Sequence, residues 1–172
     1  MSNSEPSPEV SWFGSLCDDD YEFLGVVDPE LRSSWNHCRD IVLCAEENGY
    51  DNILLPSGYT LGIDAAAFAS AVSIATKRIR LLLAVRMGEL WLPQLARQIA
   101  TIDQMSGGRL TINIISSDLP GEELESESRY ARTREYMKIL RELLNGNPVG
   151  YHGEFVDLEI EAPRVRTVTG KC

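Results

Sequence analysis

Two kinds of hydrophobic run alternate along the chain. Val10 to Leu16, Asn52 to Leu55, Arg78 to Val85 and Leu110 to Ile115 are short and almost continuously apolar, the pattern of buried strands in a parallel sheet. Between them, apolar residues recur three and four positions apart, which predicts amphipathic helices. Helix one runs from Ser33 to Asn48 with Trp35, Cys38, Ile41, Val42 and Ala45 inward; helix two runs from Ala65 to about Thr76 with Phe68, Val72 and Ala75 as its stripe. Helix three has Pro93 in its first turn and presents Leu95, Ile99, Ile102 and Met105 to the core. Helix four spans Glu125 to Asn145, with Tyr130, Met137, Leu140 and Leu144 on one face.

The punctuation agrees with these boundaries. Asp64 is placed to cap helix two, while Gly49, Gly107 with Gly108, and Gly146 stand where left-handed residues end helices. Beyond Asn145 the rhythm changes. Pro148 to Ile160 alternates around His152, Gly153 and Glu154 and predicts an antiparallel hairpin, and the stretch from Ala162 to Cys172 has no period. Residues 1–9 are expected to be a disordered leader, and 10–172 a single unit.

Four strand-then-helix units imply a parallel sheet joined by right-handed crossovers. An open nucleotide-binding sheet would carry Gly-x-Gly-x-x-Gly after its first strand, whereas here the paired glycines precede a strand. The expected fold class is therefore α/β: the first four βα units of a (β/α)8 TIM-type barrel plus a hairpin insertion. A complete barrel needs about 250 residues and this chain has 172, so the barrel is expected to be incomplete, with an unpaired edge at strand four. Ligand chemistry in such folds belongs at the carboxyl ends of the strands.

Composition narrows the function classes. The chain carries 26 acidic and 16 basic residues, a net charge of −10, which disfavours a nucleic-acid partner. Runs such as Asp18-Asp19-Asp20 and Glu122 to Glu127 read as solvated faces. No apolar run approaches the length of a membrane span and the start has no export signal, so a cytoplasmic protein is expected. The cysteines Cys17, Cys38, Cys44 and Cys172 form no Cys-x-x-Cys pair, and His37 beside Cys38 points to a different helix face, so no metal site is expected. Free thiols are the natural reading, with Cys38 and Cys44 filling space on helix one.

The chain resembles the bacterial luciferase-like flavin monooxygenases, and within them the alkanesulfonate monooxygenase branch. The resemblance is carried by Trp12-Phe13, Leu55-Pro56-Ser57-Gly58, Leu83-Ala84-Val85-Arg86, the run from Ala96 to Arg109, Asn113-Ile114-Ile115-Ser116 and Arg129-Tyr130. It covers the segment from about Val10 to Arg166. It implies a barrel that takes reduced FMN as a co-substrate from a separate NAD(P)H:flavin reductase, uses oxygen, and cleaves a small sulfonate to an aldehyde and sulfite. In the full-length form a homo-oligomer is expected.

By the same resemblance Asn113, Ser116, Tyr130 and the turn Pro56-Ser57-Gly58 are the expected cofactor contacts. Each has a plainer role as strand, core or turn residue. Arg86 is positioned to meet a sulfonate, or to form an ion pair with a nearby acid. Arg97, Asp103 and Arg109 are expected to form a structural polar network at the opposite end of the barrel. Cys17 stands where the sulfonate branch has histidine, and Leu61 and Gly62 where it has cysteine, which leaves the substrate open. By the resemblance, the family's histidine and arginine residues on later strands are expected beyond Cys172. The competing readings are a non-catalytic fragment or docking subunit, and a deazaflavin-dependent reductase of the same superfamily.

Overall fold

The computed structural model describes residues 8–17, 34–59, 62–168 and 170; the Asp18–Asp20 run, Leu61 and Cys172 lie outside the described residues. Four parallel strands stand side by side in chain order: β1 (Ser11–Phe13), β2 (Asn52–Leu55), β3 (Arg80–Arg86) and β4 (Leu110–Ile115). Helices α1 (Trp35–Glu47), α2 (Ala65–Ala75), α3 (Leu92–Ser106) and α4 (Ser126–Asn145) alternate with them. An antiparallel hairpin, β5 (Val149–His152) with β6 (Asp157–Ile160), follows α4.

Local chemistry sets these boundaries. Asp64 Oδ1 accepts the Ala67 N–H at 2.7 Å and caps α2, and Ser34 Oγ caps α1 through the His37 N–H. Gly107 and Gly146 close α3 and α4 with φ of 67° and 85°, a backbone region that side chains with a Cβ resist. The hairpin is held against α4 by Glu135, whose carboxylate accepts the N–H groups of Glu154, Phe155 and Val156 at 2.9, 3.0 and 3.1 Å.

Side chains alternate across the sheet. Ile53, Leu55, Leu81 and Leu83 face the helices and pack with Cys38, Val42, Phe68, Val72 and Ile102. Toward β4, Ile112 and Ile114 join a second cluster built on Leu95, Ile99, Tyr136, Leu140 and the hairpin. The opposite face carries Phe13, Leu54, Leu82, Ala84, Arg86, Thr111, Asn113 and Ile115, brought level by the register Leu54↔Leu82↔Thr111 and Ala84↔Asn113. Of these only Ala84 is fully buried. Among the described residues β1 and β4 each pair on one side only.

Several expectations need correction. β1 is three residues long and exposed, because it is an edge strand rather than the buried run read from Val10 to Leu16. Glu9 and Val10 are engaged: Glu9 pairs with Arg80 and Asn52, and the Val10 N–H donates to Asp51 at 2.8 Å. Ala75, Met105, Tyr130 and Met137 face solvent, while Trp35 is partly exposed with its ring packed edge to face on the buried Phe68. In α4, Leu140 and Leu144 are buried as expected, and the rest of the stripe is Arg132, Thr133, Tyr136, Ile139 and Leu143, a rotation that the isolated periodicity did not resolve. Cys38 is buried as expected, while Cys44 is exposed.

Candidate active site

At the carboxyl ends of β2 and β3 the chain encloses a cavity of about 700 Å³, lined by the β2–α2 turn at Ser57 and Gly58, the end of β3 from Ala84 to Arg86, Gly88, Glu89, Leu119 and Pro120. A second hollow, about 960 Å³, lies between β1 and α1 on the helix side, with Trp12 and Tyr50 packed edge to face at its rim. The first is at the end where parallel βα folds gather their chemistry, and it is the site candidate.

Arg86 organises this end. One guanidinium nitrogen donates to the Ser57 carbonyl at 3.1 Å and another to the Asp118 carbonyl at 2.5 Å, so a single side chain ties the loops after β2 and β4 to the end of β3. Its Nε lies 3.4 Å from Glu89 Oε1 and, buried, makes no hydrogen bond. Glu89 also reaches Ser57 Oγ, at 3.5 Å. Of the two roles open to Arg86, the ion pair is formed.

The loop after β4 is held from beneath. Arg129 pairs with Asp118 at 2.8 Å and donates to the Leu124 carbonyl, and the buried Arg132 pairs with Glu122 at 2.6 Å. Gly88, at φ 110°, lies against the Arg132 guanidinium; a Cβ there would stand 3.0 Å from Leu119 and 3.3 Å from Arg132. A side chain at that position would be strained by the positive φ and would require the Leu119 and Arg132 side chains to shift.

The expected cofactor residues divide into two groups. Ser57 and Gly58 line the cavity, with Pro56 just before them in the same turn, and so does Arg86 at the end of β3, the expected substrate contact. Asn113 lies level with Ala84 on the face away from the helices, half-buried, and its amide makes no hydrogen bond among the described residues. Ser116 follows β4 and is half-buried. Tyr130 is 55% exposed in the second turn of α4 and is not part of the cavity lining. Beside Asn113 the same face presents the small Ala84 and the apolar Leu82 and Ile115, and the amide offers both a donor and an acceptor.

Sequence reasoning missed Glu89 and the loop from Asp118 to Glu122. Glu89 carried a readable signal, an acid in the short turn that follows Arg86. Asp118 contributes its backbone carbonyl to Arg86, which no residue type announces.

The polar network at the other end of the sheet is built on Arg109. It donates to the carbonyls of Ser106, Ile79, Ser73 and Thr76 and to Thr76 Oγ1, over 2.7–3.1 Å, clamping the ends of α2 and α3 to the start of β3. Burial holds its pKa below the ordinary guanidinium value, partly offset by the Glu46 charge. Asp103, buried, accepts the Val168 N–H at 2.6 Å. Arg97 does not join the network; its side chain is exposed. Glu46 accepts the N–H groups of Lys77, Arg78 and Ile79 at 2.8, 2.6 and 2.9 Å. Burial raises its pKa, but these three donors and the Arg78 charge outweigh it and hold the carboxyl below the usual range.

Comparison with known proteins matches this architecture. The chain is 58% identical, over 98% of its length, to the sulfoquinovose monooxygenase of Novosphingobium aromaticivorans, and 49% identical over 85% to that of Agrobacterium fabrum. It spans 49% and 38% of those proteins, about half their length or less. Riboflavin lyase shares the fold, with a TM-score of 0.80 at 14% identity, covering 95% of this chain and 48% of that one. Residues 22–170 match the family described as luciferase-like monooxygenase, and the chain belongs to that family.

Proposed function

We propose that this chain is the amino-terminal half of a cytoplasmic, FMN-dependent monooxygenase whose substrate is sulfoquinovose or a closely related sulfosugar, rather than a simple alkanesulfonate. The observation that carries the reading is the 58% identity, over almost the whole chain, to a protein named for that substrate. The open half-barrel supports the further point that this segment alone is not catalytic: the face bearing Asn113 has no opposing wall among the described residues. The proposed partners are a separate NAD(P)H:flavin reductase, the small sulfonated substrate and further copies of the protein.

In this reading Asn113 holds the polar edge of the flavin through its amide, with Ala84 giving the ring room. Ser116, Tyr130 and the Pro56-Ser57-Gly58 turn are the proposed remaining contacts. Reduced flavin, when bound, supplies the electrons that activate oxygen. Arg86 is proposed to receive sulfonate oxygens through the guanidinium edge that now faces Glu89, which requires the Glu89 carboxylate to swing aside.

The test supplies reduced FMN through a reductase and measures sulfite from sulfoquinovose and from an alkanesulfonate, using this chain and one extended to the length of its relatives. Sulfite should come only from the extended chain, and chiefly from sulfoquinovose. Release from neither substrate, or preference for the alkanesulfonate, would remove the substrate assignment. In the extended chain Asn113→Ala should weaken FMN binding about tenfold. Tight binding of a deazaflavin in place of FMN, read by fluorescence quenching, would favour the reductase reading.

A further inference from the structure

The cavity wall is richer in hydrogen-bond acceptors than a sulfonate needs. Besides Arg86, its lining carries the Ser57 hydroxyl, the carboxylates of Asp64 and Glu89, and the Gln98 amide. Asp64 is committed to capping α2. Gln98, on α3, is half-buried, and its side-chain amide makes no hydrogen bond among the described residues.

Glu89 is loosely held. Its carboxylate lies 3.4 Å from Arg86 Nε and 3.5 Å from Ser57 Oγ, whereas Arg132 and Glu122 close to 2.6 Å in the neighbouring loop. The Glu89 side chain is 33% exposed, so a ligand in the cavity can reach it. On the other side of the pair, the buried Arg86 Nε still lacks a hydrogen bond. An unsatisfied donor and a weakly engaged acceptor therefore stand side by side.

One kind of ligand answers both. A sulfonate only accepts hydrogen bonds, so it satisfies Arg86 and repels Glu89. An alkanesulfonate then leaves the Glu89 carboxylate facing like charge and the Gln98 amide facing hydrocarbon, both unfavourable in a closed site. A sulfosugar gives Arg86 the same oxygens and adds hydroxyl groups, which donate to a carboxylate and exchange hydrogen bonds with an amide.

We infer that Glu89 is the residue that selects a sulfosugar over an alkanesulfonate: displaced from Arg86 by the sulfonate, its carboxylate accepts hydroxyl groups of the sugar, with Gln98 as a second contact. This rests on the sulfosugar reading above and names the groups that recognise the sugar. The test uses the chain extended to the length of its relatives, supplied with reduced FMN, and compares kcat/KM for sulfite release from sulfoquinovose and from hexanesulfonate. The proteins compared are the unsubstituted chain, Glu89→Ala, Glu89→Gln and Gln98→Leu, each checked for folding by circular dichroism. Glu89→Ala should lower the ratio of sulfoquinovose to hexanesulfonate kcat/KM about 10- to 100-fold, the loss of a hydrogen bond to a charged group. Glu89→Gln, which keeps the shape, should move the ratio the same way and carries the test if Glu89→Ala does not fold. Gln98→Leu should lower it about 3- to 10-fold. A ratio unmoved by the Glu89 substitutions would overturn the inference while leaving the sulfosugar reading standing, and an equal fall with both substrates would reduce Glu89 to positioning Arg86. An unsubstituted extended chain that releases no sulfite from sulfoquinovose would overturn both.

Discussion

The two faces of the four-stranded sheet are made from the same apolar strands and meet opposite fates. On the helix side Ile53, Leu55, Leu81 and Leu83 are all at most 1% exposed. On the other side Phe13 is 54% exposed and Leu54, Leu82 and Ile115 are half-buried. Each crossover helix covers the face it packs on and does nothing for the one behind it. Apolar residues on both faces therefore specify a second covering layer, which in a barrel is the far wall. The flavin reading places the cofactor against this less protected face, beside Asn113.

The comparison can be broken most directly by truncating the helix side. Leu81→Ala should destabilise the chain by about 2–5 kcal/mol in urea unfolding, through lost burial and the cavity left behind. A loss below 1 kcal/mol would show that this side is not the core. Arg109→Ala comes next, at about 2–4 kcal/mol, because it strips donors from the carbonyls of Ser73, Thr76, Ile79 and Ser106. Arg109→Lys should recover only part, since an ammonium cannot reproduce the planar fork.

Glu46→Gln should cost about 1–2 kcal/mol at neutral pH. The folded carboxyl has its pKa lowered, so its stabilisation is complete above the unfolded value of about 4.3 and is lost as pH falls through the lower folded value. Glu46→Gln should therefore flatten the acid limb of the stability profile, and an unchanged limb would assign that limb to other carboxylates. The smallest effect belongs to the open face: Phe13→Ala should change stability by less than about 0.5 kcal/mol. A loss comparable to that of Leu81→Ala would mean that the face is covered in solution.

Much of the fold was legible in the sequence, and the reasons are local. Asn52–Leu55 and Leu110–Ile115 were bounded correctly because Pro56 and Gly108 stop them on one side and the apolar run defines the rest. Asp64 and Gly107 marked helix ends through their own chemistry. Edge and buried strands share the same residues and differ only in their neighbours, so the apolar run from Val10 to Leu16 predicts a longer β1 than the three residues that form it. Tyr130 and Met137 face outward for a related reason: a 20-residue helix with mixed polarity has more than one apolar stripe, and the choice is made by α3 and the hairpin packed against it.

The candidate site followed the same division. Residue types at strand ends left Ser57, Arg86 and Asn113 with plainer roles in a turn, an ion pair or a strand, and the family resemblance is what singled out Ser57 and Asn113. What the residue order determined was the alternation of four strands and four helices, their caps, and the arginine at the end of the third strand. The tertiary structure alone decided that Arg86 is engaged with Ser57, Asp118 and Glu89, and that Asn113 stands clear on the uncovered face. Those outcomes depend on backbone carbonyls and on the register between strands far apart in the chain, and neither is written in the identity of any one residue.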